Sequence, residues 1–149
     1  MITEKLINEL ITCSKKAIKA DRKRMVNINR SFRNKIALCS IEGEYTFDLF
    51  LRQSEAFIED FSVGLIWTNA AQYSDIAKDI ILIRFQGPHD SGKPFGEDLH
   101  HDYHIHQITV DDIAQKRYLR PSNKESSAKF SSFPGAVCEI MKHCNIIGL

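Results

Sequence analysis

DIILIRFQGPHDSGKPFGEDLHHDYHIHQIT, residues 79–109, holds the most apolar run of the chain, a Gly/Pro loop and five of the six histidines. Asp79 to Phe85 is short, rich in β-branched residues and apolar except at its first residue and Arg84, the composition of a central strand. Gly87-Pro88 ends that strand, and Asp90 to Gly96 has the Gly, Pro, Asp and Ser content of an exposed loop. The chain then returns as a second strand from His101 to Thr109, beside the first. The unit is strand–loop–strand, with Arg84 on one strand and a run of histidines on the other.

Other strands precede this unit. Lys35–Ile41 and Tyr45–Leu51 flank the turn Glu42-Gly43-Glu44 and read as a hairpin, while Met25–Asn29 alternates with period two and Phe57–Thr68 continues as a further strand. Helical spacing is confined to the ends. Leu6, Ile7, Leu10, Ile11, Ala17 and Ile18 predict a helix from Thr3 to about Arg24, whose late lysines, Lys15, Lys16 and Lys19, suit the negative end of its dipole. Phe133, Val137, Ile140 and Met141 predict a closing helix over about 130–143. Residues 111–116 form a short helical candidate capped by Thr109 or Asp111, and the polar run from Pro121 to Ser127 reads as a mobile connection. Strands segregated between terminal helices predict an α+β domain, with a largely antiparallel sheet of about five strands flanked by an N-terminal and a C-terminal helix. A doubly wound parallel sheet would need helices between its strands.

At 149 residues the chain fits a single domain, spanning 1–149, that buries roughly two-thirds of its unfolded surface. No apolar run approaches the ~20 residues of a membrane span, and the first residues lack the basic start and apolar middle of a secretory signal. A cytoplasmic location follows. Cys13, Cys39, Cys138 and Cys144 are scattered, away from zinc-knuckle spacings, and read as reduced core or near-core thiols. Charge is polarised along the chain: nine lysines and arginines lie between Lys15 and Lys35 against Asp21 alone, and the next segment is acidic from Glu42 to Asp60. The basic stretch could meet phosphates and the acidic one a basic partner, although a solvated helix face explains the first equally well.

On an extended segment side chains two apart share a face, so His100, Asp102, His104 and His106 project together while Tyr103, Ile105 and Gln107 face the other way. His89 lies just past the end of the Arg84 strand, where the return brings it near His104 or His106, and the loop adds Lys93. Three chemistries could use this set. His104, His106 and Asp102 could ligate a zinc or other transition metal with an open water position, if a metal is present. His104 and His106, assisted by His89, could act without metal as general base and general acid on an RNA phosphodiester, with Arg84 and Lys93 holding phosphate. The same groups could grip phosphate without turnover. The structural alternative is a solvated histidine-rich strand. The His-x-Thr repeats of two-histidine phosphoesterases are absent, Ser91 is a weak nucleophile candidate, and Trp67 is most simply core.

Arg84, Gly87-Pro88-His89, the loop to Gly96, His104-Ile105-His106 and the closing His143-Cys144-Asn145 resemble a small bacterial and phage protein family of unknown function, over roughly residues 45–146. In that family an aromatic, usually tyrosine, follows the second strand histidine by two positions, where Ile108 stands here. The layout is distantly similar to TumE-like toxins of toxin–antitoxin pairs. These resemblances imply a setting of genetic conflict and supply no reaction. The expectation is a cytoplasmic RNase-like or phosphodiesterase-like protein of a toxin–antitoxin or phage-defence system, with RNA or another nucleic acid and a cognate protein as partners. The rival expectation is a non-enzymatic binding protein, an antitoxin or a phage-encoded inhibitor of a nucleic-acid-processing complex.

Overall fold

The structure, a computed structural model, describes residues 2–20, 24–74, 78–88 and 102–148. Its strands are β1 (Lys15–Ala20), β2 (Val26–Ile28), β3 (Ser31–Ser40), β4 (Thr46–Ser54), β5 (Phe61–Trp67), β6 (Ile80–Gln86), β7 (His104–Gln107), β8 (Asn123–Ser126) and β9 (Ile146–Ile147). Among the described residues three α-helices accompany them: α1 (Glu4–Thr12), α2 (Val110–Ala114) and α3 (Phe133–His143), with a short 3-10 turn at Ala70–Gln72. The strands form one sheet in the order β8-β7-β6-β5-β4-β3-β1-β9, and β2 pairs β3 off that path. Every pairing is antiparallel except β1 with β9. The α+β class and the largely antiparallel sheet agree with expectation, but the sheet has nine strands among the described residues, not five.

The additional strands have identifiable causes. The first helix ends at Thr12, because Cys13 adopts an extended backbone and the chain turns into β1 where helix was expected to continue to about Arg24. Lys15 is consequently not a surface charge at a helix end. It is fully buried, its Nζ lies 5.0 Å from the centre of the Phe47 ring, and its three protons are donated to the carbonyls of Ile11, Cys13 and Cys144, each at 2.8 Å. Those carbonyls belong to the end of α1, the turn after it and the end of α3, groups that a helix leaves without partners of its own. One ammonium thereby ties both helix ends to β1. The polar run expected to be mobile contains β8, which pairs β7 along its whole length, and the two residues of β9 complete the far edge beside β1.

Alternation along the strands sorts side chains onto two unlike faces. One carries Phe47, Leu49, Val63, Leu65 and Phe85, all buried with Leu10 and Ile11 of α1 and Ala136 and Ile140 of α3 in a continuous core. Trp67 is part of that core, its ring N–H donating to Asn69 Oδ1 at 2.7 Å. The other face is polar. Between β2 and β3 the successive positive φ angles of Asn29 and Arg30 make the two-residue turn whose twist suits a hairpin. Among the described residues no helix is long and apolar enough to cross a membrane.

Replacing Lys15 with Met keeps the side chain's length and removes the donors, leaving three buried carbonyls unsatisfied. The expected loss is roughly 3 kcal/mol or more of unfolding free energy, read by urea denaturation, because each buried group left without its partner costs about 1–3 kcal/mol. A change under ~1 kcal/mol would show that water reaches these carbonyls.

Candidate functional site

The registers of β4 to β8 align two polar rows across the sheet. Arg52 pairs with Ser62, Ser62 with Gln86, Gln86 with His104, and His104 with Ser126. One step along, Phe50 pairs with Gly64, Gly64 with Arg84, Arg84 with His106, and His106 with Lys124. Thus β6 and β7 are neighbours, Arg84 stands directly opposite His106, and the two strand histidines share a face, as the period of the sequence required. A methyl group on Gly64 would meet the Phe50 ring, so the glycine lets that ring lie across the sheet on the Arg84 row.

His104 and His106 are buried, not solvated, with exposures of 0% and 5%. Their rings meet edge to face, centres 4.8 Å apart. His104 Nδ1 lies 2.7 Å from the Asp102 carbonyl oxygen, which can only accept, so this nitrogen carries a proton. The Gln86 amide spans His104 Nε2 and the Ser62 hydroxyl at 3.1 Å each. In the neutral ring Nε2 is an acceptor, and the Gln86 amide then turns its nitrogen to the ring and its oxygen to the Ser62 hydroxyl. Arg52 extends the chain, reaching Ser62 Oγ at 3.3 Å and Asp60 at 2.6 Å. His104 is therefore locked from both sides of its ring.

His106 is held differently. Its Nδ1 donates to the Pro121 carbonyl at 3.2 Å, which leaves the lone pair of the neutral ring on Nε2. Burial, then the charges of Arg84, His104 and Lys124, push its pKa down to about 3. The ring is neutral at physiological pH and, in the unliganded protein, a poor proton acceptor.

Arg84 has no counter-ion among the described residues. It is half-buried, its Nε is shielded from solvent without a hydrogen-bond partner, and among the described residues no carboxylate pairs with it. Burial and the neighbouring Arg52 both disfavour its charge. Arg52, by contrast, is neutralised by Asp60.

The segment that reaches His106 is fixed by Asp112. This carboxylate is fully buried; it accepts from the backbone N–H groups of Thr109 and Ser122 and from Arg117 Nε, all at 3.0 Å. Thr109 and Asp112 complete a reciprocal cap on α2, confirming Thr109 as its start. Burial alone would raise the pKa of Asp112, but the hydrogen bonds from Ser122, Thr109 and Arg117 hold it below the ordinary carboxylate value.

Of the residues expected at the site, His104, His106 and Arg84 are brought together. His89, Lys93, His100 and His101 lie outside the described residues. Asp102 is exposed, and its carbonyl, not its carboxylate, contacts His104. Among the described residues no group of three His, Cys, Asp or Glu side chains converges as a metal site, so Asp102 does not complete a ligand set with the two imidazoles. Gln86, Ser62 and Arg52 were not anticipated, although Gln86 is two residues beyond Arg84 on a strand already recognised. Lys124 escaped notice because β8 was read as a loop. Comparison with protein-family models, curated proteins and solved structures finds no match, so the functional reading rests on the site's own geometry.

The folded state holds His106 neutral while the unfolded chain protonates it below about 6.5, so its contribution to stability is complete above that pH and is lost as pH falls towards 3. Urea midpoints should decline across that window, and the decline should be shallower in His106→Asn. Asp112→Asn should cost about 2 kcal/mol at pH 7 through its weakened charge-assisted bonds. With the folded pKa of Asp112 below 3.8, this deficit should shrink only as pH falls below ~4, measurable as convergence of the two unfolding curves.

Proposed function

We propose that the polar face centred on Arg84 and His106 binds the phosphodiester backbone of RNA without a metal, as a recognition site in a toxin–antitoxin or phage-conflict setting. Arg84 carries the reading: a half-buried guanidinium that no carboxylate pairs among the described residues, beside a second arginine already neutralised by Asp60, is what an anion site contains before its anion arrives. Recognition is favoured over turnover because His104 is fully enclosed and bonded at both nitrogens, and His106 does not accept a proton near neutrality. The binding reading also fits an antitoxin or a phage-encoded inhibitor that occupies a nucleic-acid-processing complex.

Cleavage is the second reading, and the contact between the two imidazoles is what favours it. A phosphate at Arg84 would oppose the charges that depress His106 and raise its pKa, restoring a base beside a phosphate held by a guanidinium.

Fluorescence anisotropy with labelled single-stranded RNA at two salt concentrations tests the proposal. Arg84→Gln should weaken binding at least about tenfold, the 1.4 kcal/mol scale of one lost charge-assisted contact, and reduce the salt slope by about 0.7, the value for one phosphate contact on a single strand. Equal affinity and slope in the variant would overturn it. The same RNA, followed on a gel with and without chelator, decides the second reading: cleavage abolished in folded His106→Ala would replace recognition with catalysis.

A further inference from the structure

Resting on the phosphate-binding reading of the Arg84 face, we infer that the cleft formed by Lys78, Asp79 and residues 116–120 is a second phosphate subsite, and that the two together select single-stranded RNA several nucleotides long. The cleft has a volume of about 580 Å³ and is lined by Lys78, Lys116, Arg117, Arg120, Tyr118 and Leu119, with Asp79 as its single carboxylate among the described residues. Arg117 is committed to Asp111 and Asp112 at 3.0 Å each. Lys78, Lys116 and Arg120 are exposed and, among the described residues, have no ion pair. Among the described residues, three cations without an ion pair around one carboxylate leave net positive charge in a concave surface, the condition for holding a polyanion.

The cleft is built rather than incidental. Lys116, directly after the last turn of α2, stands at φ +61, the left-handed conformation that ends many helices, and local bonds hold it there. Its own N–H bonds to Ile113, the Arg117 N–H bonds to the Asp112 carbonyl, and Arg117's guanidinium bridges Asp111 and Asp112. At the other side the Tyr118 carbonyl accepts from the Ile81 N–H, joining the loop to the start of β6. Leu119, 56% exposed, and Tyr118 offer apolar surface for a base between the cations.

The same loop continues to Pro121, whose carbonyl holds His106, so cleft and Arg84 face are coupled through five residues of ordered backbone. From Asp79 at the cleft to Arg84 is five steps along β6, about 16 Å at ~3.3 Å per residue. A stacked strand advances ~3.4 Å per nucleotide, so this gap corresponds to roughly five nucleotides, and fewer for an unstacked one. A dinucleotide therefore reaches one subsite, and a strand of about five or more reaches both.

The test is a length series of labelled oligoribonucleotides from two to ten residues, with an RNA hairpin duplex as comparator, on wild type, Arg84→Gln and the double variant Lys116→Glu/Arg120→Glu. Both substituted residues of the double variant are exposed, so the fold should persist, and unchanged thermal unfolding confirms it. Affinity should rise at least tenfold between two and about six nucleotides. The double variant should abolish that rise and lower the salt slope by about 1.4, two single-strand phosphate contacts, while leaving dinucleotide binding at Arg84 intact. Dinucleotide binding that depends on Arg84 but does not strengthen with length, or a length dependence untouched by the double variant, overturns the second subsite and leaves the first. A duplex bound as tightly as the single strand overturns the selection for single strands. Failure of every RNA to bind overturns both sites.

Discussion

The register between β6 and β7 is the constraint on which the site depends. Because strand side chains alternate, the pairing of Arg84 with His106 and Gln86 with His104 is also the pairing of Phe85 with Ile105, so one choice fills the core and assembles the polar rows. A slip of β7 by one residue would drive both imidazoles towards the core face, where Phe85 stacks on Phe130 with ring centres 5.2 Å apart, and turn Ile105 to the polar face. The aromatic cluster of Phe61, Phe85, Tyr103 and Phe130 thus holds the register, and the histidines inherit their positions from it.

Two buried charges then fix the ends of the frame by the same device. Lys15 gives its three protons to carbonyls at the ends of α1 and α3, and Asp112 collects two backbone N–H groups and an arginine at the start of α2 and the loop beyond it. Each charge is fully desolvated, and each is tolerable because its hydrogen-bonding capacity is used against groups that helix ends and loops leave unsatisfied. Their roles differ in reach. Lys15 organises the side of the sheet remote from the histidines, whereas Asp112 sets the loop whose Pro121 carbonyl fixes the orientation and tautomer of His106.

Much of this was legible in the residues, and what was not has physical reasons. The continuous apolar run of 80–85 and the alternation of 104–107 gave two neighbouring strands, and period two put His104 and His106 on one face with no structure at all. Lys15 could not be found that way, since Ala17 and Ile18 extend a helical spacing that a break at Cys13 interrupts, and a lysine buried by three carbonyls looks in sequence like one in water. β8 was hidden because an edge strand of Asn-Lys-Glu-Ser carries no apolar alternation and exists through pairing with β7. The burial of the histidines was equally invisible: alternation assigns a face, while what covers a face depends on the tertiary fold.

Arg84 and His106 lie half-buried and buried on a face that Arg52 shares, and burial first, then neighbouring charge, disfavours the charged form of each. An anion held at Arg84, as proposed, would compensate a half-buried charge and stabilise the native state by mass action. The same coupling makes anion occupancy and the protonation of His106 mutually reinforcing, since each adds the charge that the other lacks. With His104 enclosed, recognition and catalysis would then differ in how far a bound phosphodiester lifts His106 from about 3 towards neutrality. A modest rise leaves a neutral hydrogen-bonding ring at a binding site; a rise to near 7 turns that ring into a base in the place where a nuclease would need one.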